Sequence, residues 1–94
     1  MSLFKLKFTK ESNKEWQKLD NSIKTQFHKK LKERLQNPKV PSAKLSGYEN
    51  VYKIKLKSSG FRLAYEVKER EIIILVLKIG KRENFYEALS SFLN

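Results

Sequence analysis

Between Val51 and Ile79 the chain carries three strand-like runs separated by two short turns, and few folds accept that pattern. Residues Val51-Tyr52-Lys53-Ile54-Lys55-Leu56-Lys57 alternate in polarity. Side chains on a strand point to opposite faces in turn, so Lys53, Lys55 and Lys57 share one face while Tyr52, Ile54 and Leu56 share the other. Ser58-Ser59-Gly60 reads as a turn, and the returning run Phe61–Val67 brings Arg62 to the cationic side. Lys68-Glu69-Arg70 turns the chain again. Glu71 to Ile79 is a nearly continuous apolar run, as expected of a mid-sheet strand covered on both faces for part of its length. The short connections make these three strands an antiparallel meander.

The N-terminal half changes period. Leu3 to Phe8 alternates as a half-buried strand. Thr9 is placed to cap a helix running to about Leu19, with Trp16 and Leu19 as inward anchors. Asp20-Asn21-Ser22 breaks that helix and supplies the next cap. Ile23, Phe27, Leu31 and Leu35 then form a stripe at four-residue spacing, with Lys24, Lys29, Lys30, Lys32 and Arg34 over much of the remaining surface. Asn37-Pro38 ends the second helix. Residues 39–50 form the one substantial loop. Gly80-Lys81-Arg82 leads out of the last strand, and Glu83 to Leu93 reads as a short closing helix. The expectation is a single α+β domain over residues 1–94. Two N-terminal helices pack on one face of a mostly antiparallel four-stranded sheet, followed by the short C-terminal helix. The position of the first strand in the sheet is left open by this pattern.

Charge narrows the class of partner. The 94 residues hold 21 Lys+Arg against 10 Asp+Glu, a net charge of +11. Such a field concentrates nucleic acid or an acidic protein at the surface. The surplus is uneven: residues 1–47 carry twelve Lys+Arg and four acids, residues 48–94 nine and six. On the helices, a solvated surface is the simpler reading of any one lysine. There are no cysteines, which excludes disulfides and thiolate metal sites and suits a reducing cytoplasm. The leading residues Met1-Ser2-Leu3-Phe4-Lys5 lack the apolar run of a secretory signal, and Ile72–Leu77 is far too short to cross a bilayer. No membrane association is expected.

Few residues are available for chemistry. His28, the sole histidine, adjoins the core residue Phe27 and reads as a surface side chain. With no cysteine beside it, a zinc site is excluded. No cofactor is expected: the three glycines make no phosphate-binding loop, and Glu69 and Glu71 flank a turn as solvated charges. What is left is a cation-rich, metal-free site. RNA can supply its own 2′-hydroxyl as nucleophile, so the protein must remove one proton, protonate the leaving 5′-oxygen and stabilise charge on phosphorus. Arginine suits the last task because it is permanently charged and bidentate toward phosphate. Lysine suits the first where neighbouring cations favour a neutral amine, and Lys53, Lys55 and Arg62 are closely spaced. Arg82 can join them from the end of the neighbouring strand. Tyr86, one helical turn on, is placed to stack on a base or exchange a proton. By pattern alone, the alternating lysines equally fit a solvated strand face.

A resemblance adds to this reading. The segment from Val51 to Val67 resembles the signature hairpin of RelE toxins. Lys14-Glu15-Trp16-Gln17-Lys18-Leu19 is similar to the first helix of that family, Asn37-Pro38 with Lys44-Leu45-Ser46-Gly47 to its pre-hairpin loop, and Gly80-Lys81-Arg82-Glu83 to its last strand exit. The resemblance covers nearly the whole chain in order. It implies a toxin of the RelE/ParE type II toxin–antitoxin superfamily, cutting mRNA in the ribosomal A site without metal. Attack by the 2′-hydroxyl leaves a 2′,3′-cyclic phosphate, and translation stops. It also implies a cognate RelB-like antitoxin, contact with operator DNA only through the antitoxin complex, and a C-terminal helix that antitoxin can displace. Carried over by position, Lys55 is the expected general base and Lys53 a transition-state stabiliser. Arg62 is the expected phosphate-binding arginine, and Arg82 a charge stabiliser and proton donor. Lys57 and Lys81, with Lys53 and Arg62, are the expected RNA-binding cations. One spacing departs from the family pattern: Tyr86 follows Arg82 after three residues instead of five. Two other functions share features of this chain: a ParE-like inhibitor of DNA gyrase, which has the fold without the full cation set, and a non-catalytic RNA-binding module.

Overall fold

The computed structural model describes residues 3–93, so Met1 and Ser2 of the leading segment lie outside it. The elements are β1 (Lys5–Phe8), α1 (Lys10–Gln17), α2 (Asn21–Gln36), a short 3-10 turn (Pro41–Ala43), β2 (Val51–Lys55), β3 (Phe61–Lys68), β4 (Ile73–Lys81) and α3 (Phe85–Leu93). The sheet order is β1-β4-β3-β2. The meander β2-β3-β4 is antiparallel, as its short turns require, while β1 lies parallel to β4 with Lys5 opposite Ile73. The two intervening helices make this parallel return possible, because a parallel partner needs a long crossover.

Local chemistry explains the ends of the elements. Thr9 caps α1 from an extended backbone, its hydroxyl accepting the Ser12 N–H at 3.0 Å. The helix stops at Gln17, with Lys18 as its C-cap, two residues before the expected Leu19. Asp20 stands at the cap of α2 but makes no side-chain cap bond. The third strand of the meander begins at Ile73, not at Glu71. Ile72 takes a left-handed backbone (φ 55) and donates its N–H to the Glu69 carbonyl at 3.2 Å, so the turn consumes both residues. Strand pairing then continues to Lys81, opposite Phe61, instead of ending at Gly80. Asn84, also left-handed (φ 63), delays the last helix to Phe85.

Both faces of the sheet are covered. Ile23, Phe27 and Leu31 of α2 pack with Tyr52 and Ile54, the strand face expected to be apolar, and with Leu63, Tyr65, Ile74 and Val76. The other face carries a smaller cluster in which Phe85 and Leu89 of α3 meet Leu45, Val51, Ala64 and Leu77. A bulge in β4 connects the two patterns. Ala64 pairs with Lys78 but Tyr65 with Val76, leaving Leu77 as the extra residue. The bulge shifts the alternation by one, returning Ile79 to the helix-facing core. It also sets Gly80 opposite Arg62.

Candidate functional site

The β2–β3 hairpin builds the floor of the site. Lys53 pairs with Ala64 and Lys55 with Arg62, so these cations share the sheet face on which α3 lies. The intervening loop closes with Leu56 N–H to Phe61 C=O and Gly60 N–H to Leu56 C=O, both at 2.9 Å. Gly60 has φ +79, a left-handed backbone that a side chain would strain. The end of β4 is tied to that turn: the Arg82 N–H donates to the Gly60 carbonyl at 2.8 Å. Lys55, Lys57, Arg62 and Arg82 thereby line one cleft of about 210 Å³, with Leu56 and Gly60 completing it.

Arg62 is the deepest of these cations. It is half-buried, and its Nε has no hydrogen-bond acceptor within the described protein. A buried guanidinium donor without an acceptor costs free energy that an incoming oxyanion restores. Among the described residues, neither Arg62 nor Lys53, Lys55, Lys57, Lys81 or Arg82 enters a salt bridge. Their charge is therefore not neutralised by the protein.

Tyr86 roofs the same floor. Its ring centroid stands 5.9 Å from Lys53 Nζ and 5.7 Å from Arg62 Cζ, and the ring lies edge-on to Phe85. The shortened spacing from Arg82 does not remove it from the site. The left-handed Asn84 redirects the chain, and α3, beginning at Phe85, carries Tyr86 in its first turn over the hairpin.

The sequence-derived residues divide as follows. Lys55, Arg62 and Arg82 share the cleft, Lys53 and Arg62 lie under Tyr86, and Lys81 sits beside the cleft with Nζ 5.7 Å from the Phe61 ring. His28 is exposed on α2, in a groove with Trp16, Lys24 and Thr25. Glu69 and Glu71 are exposed, and Glu69 pairs with Lys39. Among the described residues no three His, Cys, Asp or Glu side chains are grouped to hold a metal ion.

Arg34 corrects the reading of the helix exterior. It is half-buried and turned to the sheet, with one Nη donating to the Lys53 carbonyl at 3.1 Å and to the Tyr65 hydroxyl at 2.7 Å. Its position three residues after the buried Leu31 places it on the flank of the apolar stripe, close enough to reach the sheet edge. That spacing was the available signal; composition alone makes Arg34 one more surface cation.

Relatives share both the sequence and the architecture. A profile of the ParE toxin family of type II toxin–antitoxin systems matches residues 6–86. A RelE-like toxin protein of Escherichia coli is 54% identical over 80 residues, covering 85% of this chain and 84% of that protein. The mRNA interferase toxin RelE of E. coli strain K12 is 44% identical over 78 residues, 83% of this chain and 82% of that one. Among solved structures, a chain of the intact E. coli RelBE toxin–antitoxin complex superposes with TM-score 0.81 at 41% identity, covering 83% of this chain and 95% of its own length. With the match running from β1 to Tyr86 and the same α+β architecture beneath it, this chain belongs to the RelE/ParE family of type II toxins.

Proposed function

We propose that the chain is a ribosome-dependent mRNA interferase, cutting mRNA in the ribosomal A site in the cytoplasm. The observation that carries this reading is the convergence of Lys55, Arg62 and Arg82 on one cleft with no acid in its lining. The relatives named for mRNA cleavage support it. Lys55 takes the proton from the 2′-hydroxyl, and the 2′-oxygen then attacks the adjacent phosphorus. Arg62 binds the non-bridging oxygens through a guanidinium that has no protein acceptor at Nε. Arg82 stabilises the charge added in the transition state and supplies the leaving 5′-oxygen with its proton. Breaking the P–O5′ bond yields a 2′,3′-cyclic phosphate and a free 5′-hydroxyl. Lys53 adds positive charge beneath Tyr86, whose exposed ring offers a stacking surface for a base. Lys57 and Lys81 hold flanking RNA.

A RelB-like antitoxin is the partner expected to neutralise this activity, since the RelE relative has been solved with RelB. Operator DNA is then reached only through that complex. The ParE name of the matching profile keeps a gyrase-directed toxin as the second reading.

One experiment separates the two. In a translation reaction programmed with a defined mRNA, primer extension should map cuts to the A-site codon, with DNA topology unchanged. Arg82→Ala should slow cleavage by about 10²–10³-fold, as for loss of an oriented charge donor, with ribosome binding retained. Intact mRNA accompanied by altered DNA supercoiling would favour the gyrase reading. Weakened binding with undiminished cleavage of the bound complex would remove Arg82 from the chemistry.

A further inference from the structure

A second hollow of about 300 Å³ adjoins the first and shares Lys57, Gly60 and Arg82 with it. Ser58, Ser59, Lys81 and Glu83 complete its lining. Its walls are held in place by the backbone. The Arg82 N–H clamps the end of β4 to the Gly60 carbonyl, and the Phe61 N–H donates to Ser59 Oγ at 3.3 Å. That bond uses Ser59 as an acceptor, so its hydroxyl hydrogen is left to donate outward. Lys81 is steadied by the Phe61 ring, 5.7 Å from its Nζ.

The lining specifies an anion. It offers two ammonium groups, a guanidinium and two hydroxyls. Lys57, Lys81 and Arg82 set against Glu83 leave two net positive charges, enough to hold the single negative charge of a phosphodiester. Because both hollows share one guanidinium, their occupants must be neighbours. We propose that this hollow seats a second phosphodiester of the same RNA strand, next to the linkage that is cut, with Arg82 bridging the two. The proposal rests on the nuclease reading above and deepens it. Binding to an uncut phosphate is the same in ground and transition states, so it tightens substrate capture and leaves the chemical step unchanged. A backbone contact carries no base information, so this subsite sets register without selecting a codon.

The test uses ribosomes programmed with defined mRNAs carrying a single uncharged methylphosphonate at the linkage 5′ or 3′ to the cut. Lys57→Gln with Lys81→Gln should raise the half-saturating toxin concentration roughly tenfold and leave the maximal rate within about twofold, as for lost phosphate contacts. One of the two neutralised messages should cost the parent protein at least the same factor and cost the double variant several-fold less, since only Arg82 then still meets that linkage, which also identifies the side on which the phosphate lies. Lys57→Arg with Lys81→Arg should behave as the parent, which separates charge from folding. Losses that multiply, or a fall in maximal rate at unchanged half-saturation, would overturn the subsite. Cleavage by the parent that ignores both neutralised linkages would remove the subsite and leave the nuclease. Absence of all cleavage, with flank-dependent binding to an uncleavable 2′-deoxy message, would remove the nuclease and leave the subsite.

Discussion

Arg34 sits on α2 but serves the sheet edge. β2 has a strand partner on one side only, and on its other side the Lys53 carbonyl accepts from Arg34. The same guanidinium meets the Tyr65 hydroxyl, which donates onward to the Pro38 carbonyl at 2.7 Å. Hydrogen bonds with a charged partner contribute about 1.5–3 kcal/mol each, enough to keep the strand carrying Lys53 and Lys55 from fraying. Tyr65 is fully enclosed, and burial pushes its phenol above the ordinary value of 10.0, against the opposing pull of Arg34. The raised value means that the fold prefers the neutral phenol. This contribution is complete below the unfolded value and is lost as pH rises through the folded one. The thermal stability advantage of the parent over Tyr65→Phe should therefore shrink as pH rises beyond the ordinary phenol value of 10.0, measured as paired melting temperatures. A constant difference over that rise would show that the phenol does not titrate with unfolding.

At the scale of elements, α1 does part of the work of a strand. β1 spans only four residues, so it cannot cover the whole edge of β4. Ser12, fully buried, donates to the Val76 carbonyl at 2.8 Å, and Glu15 accepts the Ile79 N–H at 3.0 Å while pairing with Lys78. A polar pair in one helical turn thus satisfies backbone groups that a longer strand would have met. By contrast, α3 is lightly held. Nine residues are too few for a helix stable by itself, and Phe85 and Leu89 are its buried anchors. Leu89→Ala should release it locally: amide hydrogen exchange across residues 85–93 should accelerate by an order of magnitude or more, with β3 and β4 still protected. Equal acceleration in β3 would instead make α3 part of the central folding unit.

On the whole molecule, the charge of +11 forms two fields. Lysines of α1 and α2 clothe the helix side of the sheet, whereas Lys5 and Lys7 of β1, alternating with the helix-facing Leu6 and Phe8, share the other face with the cleft cations. Engagement of the programmed ribosome should follow a linear dependence on the logarithm of salt concentration, with Arg62→Gln lowering the slope by about 0.7 for one lost single-strand phosphate contact. An unchanged slope would place Arg62 off the RNA backbone. The alternation at 51–57, the Ser-Ser-Gly turn and the four-residue stripe from Ile23 were legible as strand, hairpin and helix because each is a short-range pattern that repeats with the geometry of its own element. The return of Arg62 to the cationic side followed from that hairpin alone. The parallel placement of β1, the bulge at Leu77, the inward turn of Arg34 and the covering of the cationic face by α3 were not legible. Each depends on which distant segment occupies the neighbouring space. The sequence by itself determined which cations exist and which strand face they share, whereas only the tertiary structure decided that Arg82 and Tyr86 join them. That junction is made by one backbone bond to Gly60 and one left-handed residue, Asn84, between segments that local periodicity does not relate.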